Sequence, residues 1–119
     1  MDRQQRGKDA EQQAEQYLCQ QKLKLLERNY HCRFGEIDLI MQTRDTLVFV
    51  EVRFRRSAHF GGAAASVTPS KQRKIIKTAQ HFLSTHPQHN NKNCRFDVIA
   101  FEYGAAQEQP LWYKDAFRI

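Results

Sequence analysis

Near the start of the chain, Ala10, Ala14, Tyr17 and Leu18 fall at i, i+4, i+7 and i+8, with Gln, Lys and Glu among them. That stripe predicts an amphipathic helix over roughly residues 4–21. The run LKLLERNY predicts a first strand ending near Asn29, and alternating segments at 34–42 and 46–54 predict two more, joined across QTRD. From Arg55 to Ser66 the periodicity dissolves into RRSAHFGGAAAS, a basic loop with adjacent glycines. Thr68 then suits an N-cap and Pro69 the first helical position. Ile75, Ile76, Ala79, Phe82 and Leu83 repeat the helical stripe, while Lys71, Arg73, Lys74 and Lys77 crowd the early turns. Pro87 and QHNNKN end that helix; CRFDVIAFEY predicts a fourth strand, and LWYKDAF a short edge strand or a terminal turn. The order α-β-β-β-α-β predicts an α/β fold with a mixed sheet: an antiparallel meander of three strands, a crossover helix, a further strand, and helices on the sheet faces.

The second and third strands, GEIDLIMQTRDTLVFVEVRFR, carry carboxylates, which are poor strand formers. Opposed residues of an antiparallel pair have position numbers with a constant sum. A turn centred on Arg44-Asp45 sets Asp38 against Glu51, Glu36 against Arg53 and Ile40 against Phe49. The other face holds Ile37, Leu39, Met41, Val48, Val50 and Val52, and must lie against a helix. Two like charges opposed on a partly dry face raise a pKa or recruit a cation. Carboxylates with a few waters suit Mg²⁺, which can hold a phosphoryl oxygen and lower the pKa of an attacking water. The plainer alternative pairs Glu36 with Arg53 and leaves Asp38 and Glu51 in water.

With 119 residues, 40% hydrophobic and 27% charged, the chain is expected to fold as a single domain over residues 1–119. Its 19 Lys+Arg against 13 Asp+Glu leave a net charge of +6. This fits a polyanionic partner, most simply nucleic acid, or else a merely soluble basic protein. Cys19, Cys32 and Cys94 are scattered and odd in number, which argues against a disulfide framework or a zinc site. The charged start, MDRQQRGKDAEQQAEQ, is unlike a secretory signal, and no apolar run reaches the ~20 residues of a membrane span. The expectation is a cytoplasmic protein with no membrane contact.

Taken together, G-x-x-A-E-x-x-A from Gly7, RNYHCRFGEIDLI, FVEVRFR, KQRKI and RFDVIAF resemble the YraN-like family of small bacterial proteins with a PD-(D/E)XK endonuclease-like fold. The acidic residue on one strand followed by E-V-R on the next is similar to the bipartite signature of that superfamily, and the likeness runs from about Gly7 to Phe117. The resemblance implies a nuclease acting on DNA, including branched or structured DNA, with Mg²⁺ or Mn²⁺ as cofactor. Asp38 and Glu51 would be the metal-binding carboxylates, the backbone carbonyl of Val52 a further ligand, and Glu11 an acid added from the first helix. On its own Glu11 is equally an ordinary solvated helix residue. Glu36 would orient Arg53 or form a structural salt bridge.

Lys71 and Gln72, with Lys74 beside them, resemble positions that approach phosphates; a solvated basic face is the bland alternative. Arg55, Arg56 and the glycine loop fit closure over a nucleic-acid backbone and, equally, a disordered surface loop. A homodimer would suit an enzyme that acts on two strands, although no segment specifies an interface. The departure is Arg53, where the superfamily pattern has lysine. Arginine stays protonated, so it can stabilise a transition state electrostatically but cannot act as a general base. Two readings therefore stay open: an enzyme, and a catalytically degenerate nucleic-acid-binding module. Outside the motif, His81, His86 and His89 read as solvated histidines. His31 and His59 lie where they could touch a phosphate, and Trp112 and Tyr113 read as edge packing.

Overall fold

The computed structural model describes residues 3–55, 67–102 and 110–119. Helix α1 (Arg3–Gln20) leads into strands β1 (Lys24–Cys32), β2 (Gly35–Thr43) and β3 (Thr46–Arg55). Helix α2 (Pro69–Thr85) and a 3-10 turn (Pro87–His89) lead to β4 (Asn93–Glu102) and β5 (Leu111–Phe117). The strands lie in sequence order in one sheet, with β3 and β4 parallel and every other neighbouring pair antiparallel. The meander, the crossover helix and the mixed sheet are as the sequence predicts. LWYKDAF resolves to an edge strand, and β1 runs on past Asn29 to Cys32.

Local chemistry accounts for the helix ends. Thr68 Oγ1 accepts from the Lys71 backbone N–H at 3.1 Å, and Pro69 follows where a missing N–H has no consequence. Ile75, Thr78, Ala79 and Phe82 form the buried stripe of α2. On α1 the small residues Ala10 and Ala14 let the helix lie close to the sheet, and Leu18 is fully buried.

The sheet is covered on both faces. Leu39, Met41, Val48, Val50 and Ile99 pack with Ala14 and Leu18 of α1. Ile40, Leu47, Phe49, Phe96 and Val98 pack with Ile75, Ala79 and Phe82 of α2. The hairpin face expected to be polar is thus closed over by α2, and Ile40 and Phe49 are completely buried. Only the end of that face beyond the helix stays polar.

Strict alternation also fails at one level. Ile37 joins the α2 cluster, whereas Leu39, two residues on, belongs to the α1 cluster. Beside it in β1, Arg28 turns to Glu15 of α1 through two hydrogen bonds of 2.6 and 2.9 Å. Tyr30 turns the other way, its hydroxyl 2.6 Å from His81 Nδ1 of α2. Between them Asn29 takes φ +51°, a left-handed conformation that asparagine tolerates better than most residues. Asn29 and Asp38 therefore sit where both strands exchange faces.

The histidines are not simply solvated. His81 meets Tyr30 and the edge of Phe34, and His86 stacks on Phe82 with ring centroids 4.0 Å apart. Trp112 packs edge-on to Tyr17, as expected for edge packing. Its indole N–H donates to Asp97 at 2.8 Å, tying β5 to β4.

Candidate active site

The β2–β3 ladder runs with a constant sum of 89 from Thr43–Thr46 to Leu39–Val50 and then stops. The register is the one the turn dictates, yet Asp38–Glu51 and Glu36–Arg53 are not ladder pairs, which corrects the across-strand arrangement expected for them. Beyond Leu39 the Asp38 carboxylate replaces the main chain: its Oδ2 accepts from the Val52 backbone N–H at 2.8 Å. In an extended strand a residue's N–H and C=O project to the same side. The Val52 carbonyl therefore points into the gap that Asp38 has opened.

That gap is a cavity of about 190 Å³ lined by Glu11 of α1, Glu36 and Asp38 of β2, Glu51, Val52, Arg53 and Phe54 of β3, and Lys71 of α2, with Ala10 beside Glu11. Four carboxylates there face two cations, a formal −2 in a chain of net charge +6. Glu51 lies deepest, only 6% exposed, with Oε2 at 3.6 Å from both Arg53 Nη2 and Lys71 Nζ. Arg53 thus pairs along its own strand, and Lys71 reaches in from the first turn of α2.

Burial pushes the Glu51 carboxyl up, to about 8, and the Asp38 charge and a hydrogen bond to Asp38 push the same way; Lys71 and Arg53 oppose them. Burial likewise raises Glu11 to about 6, aided by Asp38 and Glu36, while a hydrogen bond from the Asn29 side chain pulls it back. Close carboxylates in a partly dry site hold a proton between them unless a cation replaces it.

Among the described residues, no three His, Cys, Asp or Glu side chains close into a metal-binding set. The oxygen donors that line the cavity are the carboxylates of Asp38, Glu51, Glu11 and Glu36 and the Val52 backbone. Such an all-oxygen set fits Mg²⁺ or Mn²⁺, since Mg²⁺ keeps several of its waters.

The other expected residues divide. Gln72 is not at the cavity: its amide donates to the Val67 carbonyl at 3.0 Å and braces the start of α2. Lys74 lines a neighbouring groove with His31 and Glu36. Arg55 ends β3, its side chain outside the described atoms, and Arg56 and His59 lie outside the described residues. Asn29, expected only as a strand end, is a site residue through its side-chain hydrogen bond to Glu11; an asparagine inside a strand run, where it is disfavoured, is the signal for it.

No helix among the described residues is long and apolar enough to cross a membrane. The model of the uncharacterised protein family UPF0102 matches residues 10–101, a span holding every carboxylate of the cavity. The chain is 56% identical over 113 residues to a UPF0102 protein of Saccharophagus degradans, covering 95% of this chain and 92% of that one. It is 54% identical over 112 residues to UPF0102 protein NE0719 of Nitrosomonas europaea (94% and 92% covered). With a UPF0102 protein of Nitrosococcus oceani it shares 49% over 114 residues (96% and 92% covered). Matches of this extent place the chain in a family: it belongs to UPF0102, the YraN-like family.

Proposed function

We propose that the chain is a Mg²⁺- or Mn²⁺-dependent nuclease that hydrolyses phosphodiester bonds in DNA. One observation carries the reading: Asp38 and the buried Glu51 share a cavity of formal charge −2, which favours a cation, and the positive charges of Arg53 and Lys71 lie beside Glu51 in the same cavity. Asp38, Glu51 and the Val52 carbonyl would hold the metal, with Glu11 beside them. When bound, the metal would polarise a phosphoryl oxygen and lower the pKa of a water.

The remaining roles fall to the chain itself. Lys71, in the first turn of α2, adds its charge to that of a helix N-terminus and draws a phosphate to the mouth of the cavity. Arg53 stays protonated and stabilises charge that develops on the phosphoryl oxygens; it does not remove a proton. Asp38 keeps β2 and β3 apart through its bond to Val52 and so maintains the gap.

The experiment is purified protein on duplex, single-stranded, flap and four-way DNA with Mg²⁺, Mn²⁺ or EDTA. Cleavage should need metal and vanish in Asp38→Ala and Glu51→Gln; cutting that survives both substitutions overturns the assignment. Arginine in the usual lysine position favours a second reading, a nucleic-acid-binding module that has lost its chemistry. Salt-dependent binding without cleavage, converted to cleavage by Arg53→Lys, would select that reading.

A further inference from the structure

We propose that the site end of the sheet carries a groove for an unpaired nucleic-acid strand, leading from the carboxylate cavity to a base-stacking platform at Phe34. This rests on the nuclease reading of that cavity and names its substrate class. A groove of about 430 Å³, lined by His31, Gly35, Glu36, Lys71, Lys74 and Ile75 among others, adjoins the cavity and shares Glu36 and Lys71 with it. Lys71 and Lys74 give it a cationic wall suited to a phosphate backbone.

The exposed aromatic rings are placed at the same end. Among the described residues the exposed large hydrophobics are Phe34 at 36%, Phe54 at 42% and Ile119 near the C-terminus. Phe54 lines the carboxylate cavity, and Phe34 lies in the β1–β2 turn next to Gly35 of the groove. The Arg33 guanidinium sits 4.8 Å from the Phe34 ring centroid, and His81 of α2 props the ring edge-on at 6.2 Å. Arg33 lies over one face of that ring, and a ring stacked with a guanidinium is a surface on which bases stack.

The turn is also fixed against the basic edge of α2. A Cβ at Gly35, φ +151°, would meet Thr78 Oγ1 at 3.2 Å and Lys74 Cβ at 3.6 Å, so the backbone lies directly on the helix. That contact places the residue next to Phe34 against Lys74. Within a duplex the base faces are stacked on one another, so such a ring is of use only to a strand whose bases are free. Single strands, flaps and frayed ends meet that condition.

The test is fluorescence anisotropy in EDTA, with a labelled single-stranded oligonucleotide and the matching blunt duplex over a range of salt. The single strand should bind more tightly. Phe34→Ala should weaken single-strand binding about tenfold and leave the duplex unchanged, with Phe34→Trp restoring it. Lys74→Gln should reduce the single-strand salt slope by about 0.7. Thermal melts confirm that each variant is folded. No binding at low salt, unchanged binding in Phe34→Ala, or equal loss on both substrates overturns the groove. Cleavage that still requires Asp38 and Glu51 would then leave the nuclease reading standing. Selective binding without cleavage in any metal would do the reverse.

Discussion

Replacing Glu51 by Gln removes the titration of the most buried carboxyl of the cavity while keeping its shape and a donor for Asp38. A glutamate that titrates near 4.5 when unfolded is raised to about 8 in the folded protein, chiefly by burial. The folded state therefore keeps this proton through a range in which the unfolded chain has released it. The stability this group contributes is complete below about pH 4.5 and is lost as pH rises toward about 8. At about 1.4 kcal/mol per pH unit, the whole swing is at most on the order of 5 kcal/mol.

Urea unfolding in EDTA, followed by far-UV circular dichroism at several pH values, reads this directly. Wild type should lose stability between about pH 5 and about pH 8 relative to Glu51→Gln, which should become the more stable of the two at the alkaline end. Mg²⁺ at about a hundred times its dissociation constant should then return about 2.7 kcal/mol to wild type alone. Parallel pH profiles for the two proteins would refute the claim that Glu51 is held in a desolvated, like-charged setting. Divergent profiles with no response to metal would confine the carboxylate pair to a structural role.

Asp38→Asn keeps an acceptor for the Val52 N–H, whereas Asp38→Ala loses it; the alanine variant should be less stable than the asparagine one by about 1–3 kcal/mol, with calorimetry showing no Mg²⁺ binding to either. Asp97, fully buried, accepts from Arg95, the Trp112 indole and the Asp115 backbone N–H. Asp97→Ala leaves all three without their acceptor; it should cost about 3–5 kcal/mol in urea unfolding and red-shift the emission of Trp112, the sole tryptophan. Gly35→Ala places a Cβ against Thr78 at a φ that side chains rarely adopt, and should cost about 1–3 kcal/mol by thermal melting.

The hairpin register was legible because a two-residue turn and a period of two leave a single arithmetic solution, and the ladder follows it as far as Leu39 and Val50. What lies past that point was not legible. The exchange of faces at Asn29 and Asp38 involves two strands at once, and neither segment alone has a periodicity that announces it. The partner of Glu11 was hidden for a similar reason: helical spacing sets it beside Ala10 and Ala14, but which strand it meets is decided by how α1 crosses the sheet. Gln72 shows the opposite error, a polar residue in a motif whose amide completes its own helix start.

The exchange of faces also explains why an aspartate stands at position 38. Its Oδ2 takes the place of the β2 carbonyl that would otherwise have met Val52, so the strands can part without an orphaned N–H. The parting admits Glu51, and Glu51 draws Arg53 and Lys71 to the same oxygen, each at 3.6 Å. Those two cations now face the Glu51 carboxyl group. In the proposed enzyme, a metal held by Asp38 and Glu51 would leave the positive charge of those two side chains available to a phosphate. Arg53 then differs from the lysine of the related pattern mainly in what it cannot do, which is give up its proton. The choice between enzyme and binder therefore turns on whether the chemistry at this cavity needs a base from the chain, which is why Arg53→Lys is the decisive substitution.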